Sequence, residues 1–178
     1  MTNNTKYLKS FFGHLNTINR HRFLVCKLCF KVGLYRQGLT HDLSKYSLTE
    51  FISGVRYFQG YRSPIVAEIQ EHGYSDAWLH HKGRNRHHWQ YWITNDRNSF
   101  KVIEMPVKYI KEMACDRIAA CMVYEKDRYH PSSALEFLEN SKERKFMPEK
   151  TLGLLTEMLK IVAENSLDDA LEIIKTKY

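Results

Sequence analysis

Apolar residues return along this chain at three- and four-residue spacing, and the strict alternation expected of a half-buried strand is almost absent. That pattern predicts an all-α fold. The first helix is expected over residues 6–32, with a bend near Gly13 and a stop at Gly33. Ser47-Leu-Thr-Glu50 forms a capping box, which opens a helix that Gly60 is expected to close. Ser63 followed by Pro64 places an N-cap before a proline at the first helical position, starting a helix that carries Trp78 and reaches His80 and His81. Gly83 and Asn85 interrupt the pattern and leave His87 and His88 on a loop or a new turn. Pro106 opens the most regular helix, 107–125, and Pro148 opens another. Two further capping boxes, Ser133-Ala-Leu-Glu136 and Ser166-Leu-Asp-Asp169, start helices near the C-terminus. No repeat or low-complexity tract appears, so one domain over 1–178 is expected. Its motif-bearing part spans about 14–125, and residues 132–178 read as packing helices.

Composition narrows the picture. A chain of 178 residues is long enough to bury a core of about 70 % of its unfolded surface. The formal net charge of +7 is uneven: residues 1–63 hold ten Lys and Arg against two acids, and the remainder holds seventeen against eighteen. An anionic partner would meet the N-terminal part first, whether a phosphorylated metabolite, a nucleotide or nucleic acid; a solvated basic face explains the charge equally well. Cys26-Lys-Leu-Cys29 is the only close cysteine pair and has no second pair to complete a four-thiolate zinc site. It lies in an apolar run, so the thiols read as core residues. No stretch approaches the roughly 20 apolar residues of a membrane span, and the start of the chain is polar. A cytoplasmic protein without a membrane partner is expected.

Chemistry concentrates in a few short stretches. Six of the nine histidines are His21, His41, His80, His81, His87 and His88. Imidazole and carboxylate are the ligands that divalent transition metals accept, which makes a metal site the leading expectation. Between positions 113 and 123 only Asp116 and Arg117 are charged, so Asp116 is expected to face inward, where its charge requires a cation or several hydrogen bonds. His41 and Asp42 are adjacent in Leu-Thr-His-Asp-Leu-Ser-Lys, ahead of a turn signalled by Ser44 and Ser47, and can converge on one ion.

The order of these residues resembles the HD-domain superfamily of metal-dependent phosphohydrolases: a histidine, a His-Asp pair followed by a lysine, a histidine pair, then an aspartate in a late alanine-rich helix. Lys45 matches the family's lysine, although Ser44 stands where a glycine is common. The chain is also similar to an uncharacterised group of small bacterial and phage proteins with His-Asp-Leu-Ser-Lys-Tyr-Ser and His-His…His-His-Trp stretches. The resemblance implies an HD-domain-like helical bundle in which His41, Asp42, Asp116 and a first histidine hold a divalent metal. His21 is favoured for that first position over His14, which lies seven residues earlier on the same helix face. Two-metal members add histidines in between, where His80 and His81 would ligate a second ion, with His87 and His88 as further candidates or a substrate-facing rim. One or two ions of Mn, Fe, Zn, Mg or Ni are implied. The implied activity is hydrolysis of a phosphate ester or nucleotide by a metal-activated water, with Asp42 and Lys45 serving catalysis. Lys45, Arg84, Arg86, His87 and His88 would contact the phosphorylated substrate. Two alternatives remain open: a di-iron oxygenase on the same scaffold, and a basic nucleic-acid-binding module without catalysis.

Overall fold

Helix dominates the computed structural model, which describes residues 3–178. In chain order α1 (Asn3–Lys31), α2 (Tyr35–Thr40), α3 (Leu48–Arg56), α4 (Pro64–His72) and α5 (Asp76–Lys82) come first. A small antiparallel hairpin, β1 (Ile93–Asp96) and β2 (Ser99–Val102), precedes α6 (Val107–Glu125), α7 (Ser133–Asn140), α8 (Glu149–Glu164) and α9 (Leu167–Lys177). The fold is all-α, and the hairpin, with Ile93 opposite Val102, is the element that the helical periodicity does not foretell.

One apolar core joins the two ends of the chain. Val25 and Leu28 of α1 and Val32 just past its end belong to the same buried cluster as Ile110, Met113 and Ile118 of α6, Leu155, Met158 and Val162 of α8, and Leu171 and Ile174 of α9. Burying each such side chain contributes about 1.5–3 kcal/mol, so α8 and α9 complete the core. The inner face of α1 runs His14, Ile18, His21, Val25, Leu28, and continues to Val32 just beyond the helix, a three- and four-residue spacing that puts two histidines on an otherwise apolar stripe. Cys29, Cys115 and Cys121 are buried as expected of core thiols, whereas Cys26 is only partly so. A hydrogen bond with Cys115, and then burial, push the Cys29 thiol pKa up, keeping it protonated.

Several expected boundaries move. The helix opened by Pro64 does not continue to His81: it ends at Gly73, in the left-handed conformation (φ 78°), and Ser75 caps a separate α5 by accepting from Trp78 N. Glycine at that C-terminal position is a strong stop that the histidine-bearing run beyond it obscured. α3 ends at Arg56, before Gly60. α1 passes Gly13 without interruption; a side chain there would overlap the Phe58 ring, so the glycine serves close packing. The Ser47 and Ser166 caps form as expected. Ser133 instead accepts from His130 N and donates to Glu125, and Ser132 occupies the cap position of α7.

Candidate metal centre

The His-Asp pair stands at a sharp exit from a helix. α2 stops at Thr40, His41 is extended (φ −51°, ψ 127°), and Asp42 adopts the left-handed conformation (φ 53°, ψ 27°) before the short helical turn Leu43–Tyr46. Aspartate tolerates this region better than most residues, yet the conformation still costs about 1 kcal/mol and needs support. Arg22 supplies it. Its guanidinium donates to the carbonyl oxygens of His41 (2.8 Å) and Leu39 (3.2 Å) and to the Tyr46 hydroxyl (3.2 Å), which in turn donates to Asn19 (2.6 Å). α1 thus aims His21 inward and uses the next residue to hold the turn that carries Asp42.

The Asp42 carboxylate lies between two sets of imidazoles. Its Oδ2 is 3.4 Å from His41 Nε2 and 3.8 Å from His21 Nε2, and Asp116 Oδ1 closes that side at 2.9 Å from His21 Nε2 and 3.4 Å from His41 Nε2. Its Oδ1 faces the other way, 3.4 Å from His81 Nε2 and 3.5 Å from His87 Nε2, with His88 completing a second group. Most of these separations exceed a hydrogen bond. Two donors ligating one ion through bonds of about 2.1 Å stand roughly 3.0–3.4 Å apart.

Carboxylates on the outer side fix the rings. Glu112 Oε1 accepts from Nδ1 of both His41 (2.9 Å) and His87 (3.2 Å), and Glu50 Oε2 accepts from Nδ1 of His81 (2.8 Å). In a neutral ring a proton held at Nδ1 leaves the Nε2 lone pair directed at Asp42, the arrangement by which acidic partners orient metal-ligating histidines. His41 Nε2, Asp42 Oδ1, His87 Nε2 and His88 Nε2 are all buried without a hydrogen-bond partner among the described residues. Each such orphan costs about 1–3 kcal/mol, and four in one place fit a site that a divalent cation satisfies.

The electrostatics agree with a cation site. Burial lowers the pKa values of His21, His81 and His88, keeping these rings neutral. Burial works against ionised carboxylates too, but His41 and Lys45 beside Asp42, and His21 and His41 beside Asp116, hold both well below the usual range. His41 is the exception among the rings: burial opposes its charge, yet Asp42, Asp116 and Glu112 raise it to about 10. Lys45 donates to Asp42 Oδ2 at 2.6 Å. Imidazolium and ammonium together bring the charge of one divalent ion to this group of carboxylates.

His80, expected as a ligand, bonds Glu50 Oε1 through Nδ1 at 2.6 Å and lies outside the ligand groups among the described residues. His14 also lies outside them, packed against Gly54, where a side chain would overlap its ring. His87 is buried and His88 half-buried, so the exposed rim expected for them does not form. Arg84 and Arg86 are exposed and line neither of the two central cavities among the described residues. Arg86 stacks on Tyr91 and Tyr109 instead. Lys45 lines the smaller cavity, of about 210 Å³, with His21, His81 and Asp116. A larger one of about 460 Å³ adjoins it, and the two share Ser63, Trp78, His88, Asp116, Ala120 and Tyr124. Sequence reasoning missed Glu112 and Glu50. Glu112 precedes Asp116 by one helical turn and so shares its face, a signal that was available; Glu50 read only as the last residue of a capping box.

Fold and site define an all-α protein with a central histidine–carboxylate cluster able to hold a divalent metal. The chain belongs to the family of unknown function DUF5662, whose model matches residues 10–161, a span containing every residue of the cluster and most of α8. No curated protein and no solved structure matches it. No helix among the described residues is long and apolar enough to cross a membrane.

Proposed function

We propose that this chain is a metal-dependent hydrolase of a phosphate ester, related to the HD-domain superfamily and working in the cytoplasm. The observation that carries the reading is Asp42, whose two oxygens face separate imidazole sets. His21, His41, Asp42 and Asp116 would hold one divalent ion, and Asp42 with His81, His87 and His88 a second. Bound there, such ions lower the pKa of water and neutralise charge on a phosphoryl group. The chain's own residues do the rest. Glu112 and Glu50 keep the imidazole lone pairs directed inward, and Arg22 holds Asp42 in its left-handed turn. Lys45, once released from Asp42, offers its ammonium to a phosphate oxygen at the wall of the smaller cavity.

Elemental analysis of protein purified without chelator tests the site. One to two equivalents of Mn, Fe, Zn or Ni are expected, lost in Asp42→Ala with unchanged helical content and with loss of phosphomonoesterase activity. Less than about half an equivalent, with no uptake on reconstitution, sinks the reading. A carboxylate shared by two ligand sets suits a di-iron oxygenase as well. Two irons with oxygen-dependent turnover and no phosphate release would select that reaction instead.

A further inference from the structure

The larger cavity differs in chemistry from the ligand cluster beside it. Its wall includes Tyr61, Trp78, Trp89, Met113, Tyr124 and Phe137. Its charges are two guanidinium groups, Arg62 and Arg117, against the three carboxylates of Asp116, Glu125 and Glu143. Both guanidinium groups have partners, but only that of Arg117 is a carboxylate. Arg117 pairs with Glu143, which also accepts from Trp89 Nε1 at 3.0 Å, and Arg62 donates to Gln59 and Gln70. Glu125 is engaged by the Ser133 hydroxyl. A chain of phosphates laid along this wall would meet three carboxylates and, among the described residues, Arg62 as the one guanidinium not paired with an acid, and burying so much charge against an acidic excess is costly. A flat uncharged body would meet ring faces and a methionine side chain, which reward it by area and stacking.

Building on the hydrolase reading, we propose that this cavity receives the leaving group of the substrate, and that the substrate is a phosphate monoester of an uncharged aromatic alcohol. The phosphoryl group then sits at Asp116 and His88, which line both cavities, with Lys45 on the far side. The volume of about 460 Å³ falls within the usual range for small-molecule sites. Phe137 and Tyr61, each 63 % exposed, form the rim through which an aromatic group enters.

Calorimetric titration of the full chain with naphthol, which carries no phosphate, tests the cavity independently of metal and turnover. Saturable binding is expected, weakened at least tenfold in Phe137→Ala and Tyr61→Ala and unchanged in Phe23→Ala, on the exposed side of α1. With manganese-loaded protein, naphthyl phosphate is expected to be hydrolysed with a KM that rises about tenfold in the same two variants while kcat stays within twofold, and tripolyphosphate supplied as its manganese complex is expected to inhibit no more strongly than inorganic phosphate. Absence of naphthol binding, or inhibition by the tripolyphosphate complex stronger than that by inorganic phosphate, overturns the proposal. Naphthol binding sensitive to the two variants but without phosphate release upholds the cavity assignment and sinks the hydrolase reading.

Discussion

The two imidazole sets that flank Asp42 are held by different means. His21 and Asp116 project from α1 and α6, long helices whose apolar faces form much of the core. His81 stands on α5, seven residues long, and His87 and His88 lie in the turn beyond it. Rings and polar groups fix this second set: His87 and His88 lie 4.2 Å apart, His88 meets Trp78 at 4.9 Å, and the buried Asn85 donates to the His81 carbonyl at 2.8 Å. A ligand set with members anchored on packed helices shifts less when one polar contact is lost than a set anchored by polar contacts alone.

Asp42 is where the comparison breaks most severely. Asp42→Ala is expected to abolish uptake on both sides, weakening affinity by more than about 100-fold, beyond the 10–100-fold typical of supporting groups. Inductively coupled plasma mass spectrometry of His21→Ala and His87→Ala should find one set surviving in each; equal loss of all metal in both would show that the sets are not separable.

Acid probes the buried rings together. Burial and the charge of Lys45 hold the folded pKa of His14 at about 4, below the 6.5 of an unfolded histidine. The folded chain therefore binds fewer protons between these values, so the stability this ring contributes is complete above pH 6.5 and is lost as pH falls towards 4. The loss from His14 is up to about 3 kcal/mol, and His21, His81 and His88 shift in the same direction. Urea unfolding of metal-free protein from pH 7.5 to 4 should show this fall, with His14→Leu flattening part of it; a flat profile in the parent chain would contradict it.

The supporting carboxylates sharpen the contrast. Glu112→Gln loosens one ring of each set, so manganese affinity should fall about 10–100-fold on both sides, whereas Glu50→Gln should affect only the His81 side. Competition titration with a chelating dye separates the two. The smallest effect is expected from Arg22→Ala, which frees the Asp42 turn: about 1–2 kcal/mol of stability and roughly tenfold in affinity for the His21 side. Thermal melts with the same dye assay check it, and unchanged affinity would remove Arg22 from the site.

The same asymmetry governs what could be read beforehand. Asp116 was legible because one carboxylate amid alanines and methionines on a long helix needs compensation, and His41 with Asp42 because adjacency needs only a turn. Periodicity could not place His87 and His88: two adjacent polar rings beside Arg86 read as surface, and only Trp78 and His81 of α5 and Glu112 of α6, brought against them by the fold, make their pocket. Gly73, which ends α4, is a stop signal inside a stretch read as one continuous helix. The all-α fold followed from spacing, while the β1–β2 hairpin is too short to impose a period of its own.

Asp42 also makes the two sides of the centre thermodynamically one. Because a single carboxylate answers to both, whatever an occupant on its Oδ2 side does to the affinity of the Oδ1 side must be returned by the same factor. Lys45 already occupies the Oδ2 side. The first cation to arrive displaces an ammonium as well as filling a gap, and the second finds a carboxylate already turned from that competitor. Loading should therefore be sigmoidal in ion concentration, and replacing Lys45 with methionine should make it hyperbolic.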